Sequence, residues 1–248
     1  MSSSDAVRFV SDSDPVVVDA TDAVQHGDLA RLDALLATNP WLSTARFGDE
    51  ECHRTLLHAA VDHPGHFPNG PAVLSRLIAA GADVNARSCF DSLSETALHW
   101  AASSGDVRML DALLDAGADI EAVGAAVEGG TALSDACEFG NWAAAQLLLK
   151  RGAHTRLKEA AALGVMDRLE AAFAGDDSPG QEEASKALFG ACAGGQLAAA
   201  AFLVERGANV NWLGWDDQTP LDAAERAHAV RLAEWLLERG ARRAAELG

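Results

Sequence analysis

The 248-residue chain carries 37 acidic against 19 basic residues, a formal net charge of −18, with 49% hydrophobic residues. That charge repels phosphate backbones, which excludes nucleic acid as a partner and favours a basic protein surface. No apolar run approaches the roughly 18 residues of a membrane span, and the polar, acidic start "MSSSDAVRFVSDSDP" lacks a signal-sequence core, so the expectation is a cytoplasmic chain without membrane contact. Cys52, Cys89, Cys137 and Cys192 show no C-x-x-C spacing and are expected as free thiols. Three lysines against sixteen arginines, many alanines and no tyrosine suggest a GC-rich bacterial source.

In chain order, residues 1–17 read as a flexible acidic segment and residues 18–248 as one domain built of repeats. A degenerate unit spans 18–39. "TLLHAA" follows at Thr55, "TALHWAASSGD" at Thr96, "TALSDACEFGN" at Thr131 and "TPLDAAERAH" at Thr219. Each leads into a second apolar segment closed by glycine: "LIAAGADVNA", "LLDAGADIEA", "LLLKRGAHT" and "LLERGARR". A second degenerate unit covers 155–176, and "KALFGACAGGQ" from Lys186 adds a copy without the threonine. Each unit predicts a helix, a tight turn and a second helix. In the copy from Thr96, Leu98, Ala101, Ala102, Val107, Leu110, Leu113 and Leu114 form apolar stripes, with Gly105 at the turn and Gly117 as the stop. Neither helix buries its stripe alone, so stacking must supply the core.

The recurring T-x-L-H-x-A and G-A-D-V-N motifs, seen at residues 55–60, 81–85, 96–101 and 117–120, resemble the ankyrin repeat. The resemblance covers about residues 18–243 and implies an all-α ankyrin-repeat solenoid of about seven helix-turn-helix repeats with short β-hairpin fingers. Register marks two irregularities. The span from threonine to stop glycine is 21 residues in the regular copies but 26 from Thr55 to Gly81, which puts five extra residues in "VDHPGHFPNGPAV", between the two helices of repeat two. Between repeats four and five only three residues run from Gly152 to Thr155, too few for a two-stranded finger, so one finger is expected to be missing and to leave a notch.

His58 and His99 occupy the motif histidine, expected to bond the neighbouring finger backbone; Ser134 and Asp222 at the same position are expected to cap helix starts. Trp100 is expected in the core, as are Cys137 and Cys192. A zinc site from Cys52, His53, His63 and His66 is rejected, because about eight helical residues at about 1.5 Å each separate groups that must lie about 2.3 Å from one metal. No metal and no cofactor is expected. Nor does any nucleophile–base order, phosphate loop or H-E-x-x-H supply a positive case for catalysis.

The resemblance further implies a concave binding face made of finger residues before each threonine and of the positions before each turn glycine. Carried over, it comprises Glu50, Glu51, His53 and Arg54; Phe90, Asp91 and Glu95; Glu128; Glu138 and Phe139; and Trp212, Trp215, Asp216, Asp217 and Arg226. Trp41, Phe47, Phe90, Trp212 and Trp215 lie in connections, where exposed aromatics beside carboxylates would anchor a basic segment. The expected function is therefore a non-enzymatic module gripping a basic protein, as adaptor, effector or toxin neutraliser. The alternative is a small-molecule site or enzyme at the notch, with Glu138 and Glu159 as its acids or bases near Phe139 and Trp215.

Overall fold

The computed structural model describes residues 8–89, 93–125, 129–175, 177–214 and 217–248, which contain fourteen α-helices. They divide between two compact units, the first ending at Ala153 and the second beginning at His154. The short connection between Gly152 and Thr155 falls at that division.

In the first unit a strand β1 (Phe9–Val10) precedes α1 (Pro15–His26) and α2 (Leu29–Thr38). Then come the hairpin of β2 (Arg46–Gly48) and β3 (His53–Arg54), and the pairs α3 (Leu56–Ala59) with α4 (Gly70–Ala79), α5 (Ala97–Ser103) with α6 (Val107–Asp115), and α7 (Ala132–Glu138) with α8 (Trp142–Lys150). The second unit holds α9 (Leu157–Ala162), α10 (Met166–Ala172), α11 (Gln181–Ala193), α12 (Leu197–Glu205), α13 (Pro220–Arg226) and α14 (Val230–Leu237). Within the segment expected to be a tail, β1 pairs in parallel with β2, Phe9 opposite Arg46, and α1 starts at Pro15, three residues before the expected position. Asp14 makes that start possible, because its carboxylate accepts the Val16 N–H (2.8 Å) while Pro15 needs no partner at the first helical position.

The repeat threonines act through their side chains. Thr55 Oγ1 lies 2.9 Å from His58 Nδ1, Thr96 Oγ1 2.9 Å from His99 Nδ1, and the Thr131 N–H donates to Ser134 Oγ (3.1 Å). At Thr219 both the N–H (2.9 Å) and the hydroxyl (2.8 Å) donate to Asp222 Oδ2. Each exchange satisfies donors that a helix start leaves open, as the motif predicts. His58 Nε2 then reaches the Glu95 carbonyl in the next finger (3.1 Å). Two positions shift from the predicted register. Arg156, not Thr155, stands at the head of α9, where its N–H donates to Glu159 Oε2 (2.6 Å). Helix α11 begins at Gln181, five residues before Lys186, so the copy lacking a threonine starts a turn early.

The predicted stripes meet as the core. In the first unit Leu32, Leu77, Leu98, Leu110, Leu113, Leu133 and Leu148 are all buried; in the second Leu169, Leu188, Leu203, Leu221 and Leu236 join a cluster with Ala187, Ala191 and Cys192. Alanines at the helix contacts let neighbouring backbones approach, so burial is spread thinly over many small residues. Cys192 is buried as expected, which pushes its thiol pKa up; Cys137 is only half-buried.

The inserted loop of repeat two is stitched to both neighbours. Asn69 Nδ2 donates to the Gly27 carbonyl in the turn of repeat one (3.0 Å), and the His66 N–H donates to Asp106 Oδ2 in the turn of repeat three (2.8 Å). Asp106, only 2% exposed, also caps α6 by accepting the Met109 N–H (3.1 Å). Gly27 shows how tight this seam is. Its φ is +64°, and a Cβ there would stand 2.2 Å from the Pro68 carbonyl oxygen. Gly27→Ala is therefore expected to lower unfolding stability by about 2 to 3 kcal/mol, read by urea denaturation. An unchanged midpoint would mean the seam is loose.

Candidate functional site

The first unit's finger begins at the β2–β3 turn. Asp49 Oδ1 accepts the Cys52 (2.8 Å) and Glu51 (2.9 Å) N–H groups, which holds its carboxyl below the usual range and leaves Glu50 and Glu51 exposed at the tip. His53 Nδ1 lies 3.0 Å from the Asp49 carbonyl, its ring meets Phe9 edge-on with centroids 5.3 Å apart, and its backbone pairs with Cys89 of the next finger. Arg54 donates to Asp62 Oδ2 (2.5 Å). Burial lowers the pKa of Arg46, which Asp83 opposes. Glu95 accepts the Trp100 indole N–H at Oε2 (2.8 Å). Glu138 is half-buried at the end of α7, and Phe139 beside it is 55% exposed.

In the second unit Trp212 is half-buried, its ring 5.9 Å from Phe189 and edge-on to it, while Asp217 and Arg226 are exposed. Phe90, Asp91, Glu128, Trp215 and Asp216 lie outside the described residues.

Several expectations for aromatics need correction. Phe47 is 3% exposed and belongs to the core, because the strand pairing of β2 turns its side chain inward. Trp212 packs on the helix beneath it, the ordinary fate of a large ring in a connection, and Trp41 lies under the Arg8 guanidinium, 4.0 Å from its carbon. Trp100 is half-buried rather than a core residue, since its N–H needs the Glu95 carboxylate and its ring meets His58 edge-on at 5.0 Å. Glu159 is 3% exposed, with one oxygen on the Arg156 N–H and the other 3.0 Å from Arg156 Nε, so it serves the start of α9.

Sequence reasoning missed how the cations are spent. Arg31 on α2 binds Asp19 and Asp22 on α1; Arg76 on α4 lies 3.0 Å from Asp33 on α2; Arg151 binds Asp111 (2.5 Å) and Asp115 (2.8 Å) on α6. Finger arginines are engaged too, Arg54 with Asp62 and Arg87 with the Ser94 and Val123 carbonyls at 2.6 Å each. Among the described residues no cation reaches Glu50 or Glu51. A signal was present in the sequence: Arg31, Arg76 and Arg151 all fall in or just after second helices.

Among the described residues no group of three or more histidine, cysteine or carboxylate side chains is placed to hold a metal, and no helix is long and apolar enough to cross a membrane.

Paired helices joined by tight glycine turns, with a threonine exchange at each start and fingers between pairs, define a helical repeat protein that presents loops for binding. The family model for ankyrin repeats (3 copies) matches residues 21–122 and 57–159, more than half of the chain. The chain belongs to the ankyrin repeat family, whose members are protein–protein interaction modules. One solved structure similar in fold is the Bd0816 predatory endopeptidase from Bdellovibrio bacteriovorus in complex with immunity protein Bd3460. Its matching chain shows 22% identity and a TM-score of 0.51, with 89% of this chain and 97% of that one covered. No curated protein matches the sequence.

Proposed function

We propose that the chain binds a basic protein through the acidic residues of its fingers, without catalysing a reaction. The observation that carries this reading is the unequal spending of charge in the first unit. Arg31, Arg76 and Arg151 are taken up by helix carboxylates, whereas Glu50 and Glu51 stand exposed at a finger tip with no ion pair among the described residues. Unpaired exposed carboxylates raise the encounter rate with a cationic surface and fix its orientation. The net charge of −18 extends that preference over the whole chain and opposes nucleic acid. Phe139, exposed beside Glu138, supplies apolar area of the kind that becomes an anchor when a partner excludes water from it. No disulfide joins the four cysteines, in keeping with a cytoplasmic setting. Adaptor, effector and toxin neutraliser are the forms such a module takes; the immunity protein of the similar structure, held in complex with an endopeptidase, makes the neutraliser the form to test first.

The test is capture from native lysate on the immobilised chain, repeated from about 50 mM to about 500 mM salt. Basic proteins should be retained at low salt and released as salt rises. Glu50→Lys combined with Glu51→Lys should weaken retention roughly tenfold, whereas Glu234→Lys on the exposed side of α14 should leave it unchanged. Retention indifferent to both salt and charge reversal would overturn the proposal.

A further inference from the structure

The outer face of α1 and the floor of the first finger enclose an open cavity of about 310 Å3. Its lining follows from helix geometry, because Val18, Thr21, Asp22 and Gln25 recur at spacings of three and four and so share one face. The pairing of β1 with β2 brings Asp12, just after β1, into the lining. The lining is mixed: Val17 and Phe47 are buried beneath it, Val18 stands 53% exposed in its wall, and Asp12, Thr21, Asp22, Gln25 and Arg54 supply polar groups. An aliphatic side chain left this open beside carboxylates has water as its neighbour until something apolar covers it.

Charge selects what that something is. Arg54, the one guanidinium on the lining, is bound to Asp62, Arg31 is shared by Asp19 and Asp22, and His26 Nδ1 lies 3.1 Å from Asp22 Oδ1. Asp12 has no cation among the described residues. The neighbouring cations are engaged elsewhere, Arg8 on the Trp41 ring and Arg46 toward Asp83. On the lining itself Asp12 and Asp22 stand against Arg54, which leaves one negative charge beside the exposed Val18. An anionic ligand would meet that surplus, while a wholly apolar one would bury carboxylates without a partner. The volume lies at the low end for ligand sites and suits one long side chain, not a folded element.

We infer that this cavity receives a single basic side chain of the protein partner, its methylene stem against Val18 and its cationic head at Asp12, since Arg31 and His26 already lie against the two Asp22 oxygens. The inference rests on the basic-partner reading and narrows it to one residue of that partner. Thr21 and Gln25 supply neutral acceptors for the remaining N–H groups.

The experiment is a nuclear magnetic resonance titration of the full chain with N-acetyl-arginine amide, and with N-acetyl-glutamate amide as the opposite charge. Saturable shifts confined to residues 12–25 and 46–54 are expected with the arginine probe and none with the glutamate probe. Asp12→Asn, at an exposed side chain with no ion pair among the described residues, should weaken the arginine probe about threefold. Val18→Trp should fill the cavity and abolish the shifts. Shifts that do not saturate, that appear equally with the glutamate probe, or that survive both substitutions would overturn the inference. A labelled arginine hexapeptide separates this failure from that of the wider reading. Binding lost in the Glu50→Lys, Glu51→Lys chain but unaltered by Val18→Trp and Asp12→Asn overturns the cavity alone; no binding to the unaltered chain overturns both.

Discussion

Acidification from about pH 6.5 to about pH 5 is expected to remove about 3 kcal/mol of unfolding stability through two buried histidines. Burial pushes the His58 pKa down to about 3 and that of His99 down to about 4, from an ordinary value of 6.5. Between those values the unfolded chain binds both protons and the folded chain neither. Stability is therefore fully present above pH 6.5 and falls as pH drops toward the folded values, by up to about 1.4 kcal/mol per unit for each histidine. The cause is structural: in each ring Nδ1 faces a threonine that caps the helix, and an imidazolium there would be buried. Unfolding by urea at a series of pH values checks this. His58→Gln should halve the slope above pH 5, before the carboxylates begin to titrate. An unaltered slope in that variant would show that the histidines are not its source.

Asp106→Ala is expected to cost about 2 to 4 kcal/mol, large for one short side chain. The carboxylate performs two tasks with separate oxygens, capping α6 through the Met109 N–H and accepting the His66 N–H from the inserted loop. Alanine loses the cap and leaves a loop N–H without its acceptor. Asp106→Asn, which keeps one acceptor oxygen, should cost about half as much. Hydrogen exchange at the His66 amide is the specific readout: it should accelerate strongly in the alanine variant. If the amide stays protected, the loop does not depend on Asp106.

The opening threonine and closing glycine of the regular units were legible because their work is local. A threonine exchanges hydrogen bonds three residues on, and a glycine such as Gly117, with φ of +91°, ends a helix within one turn. The same locality explains where register reading slipped. Helix α9 is one residue shorter than α5, so its cap moves to Arg156, and Glu159 takes up the helix start instead of standing in a site. The finger aromatics were misjudged for a different reason. Position in a connection says nothing about the helix below it, and only folding sets Trp212 on Phe189 or turns Phe47 inward. The loop of repeat two also changed meaning: in the sequence it is five extra residues between two helices, but folded it ties the turns of three repeats together.

By itself, then, the sequence determined the helix pairs, their caps and turns, the apolar stripes and the acid excess, because each depends on residue type at spacings of three, four or two. Tertiary structure alone decided which carboxylates remain unpaired. Arg31, Arg76 and Arg151 neutralise acids 9 to 43 positions away in the chain, a choice fixed by the stacking of helices. It also decided that Phe9–Val10 pairs with residues 46–47 and so encloses a cavity against α1. Contacts between distant segments depend on where the intervening chain carries them, and no local pattern encodes that path.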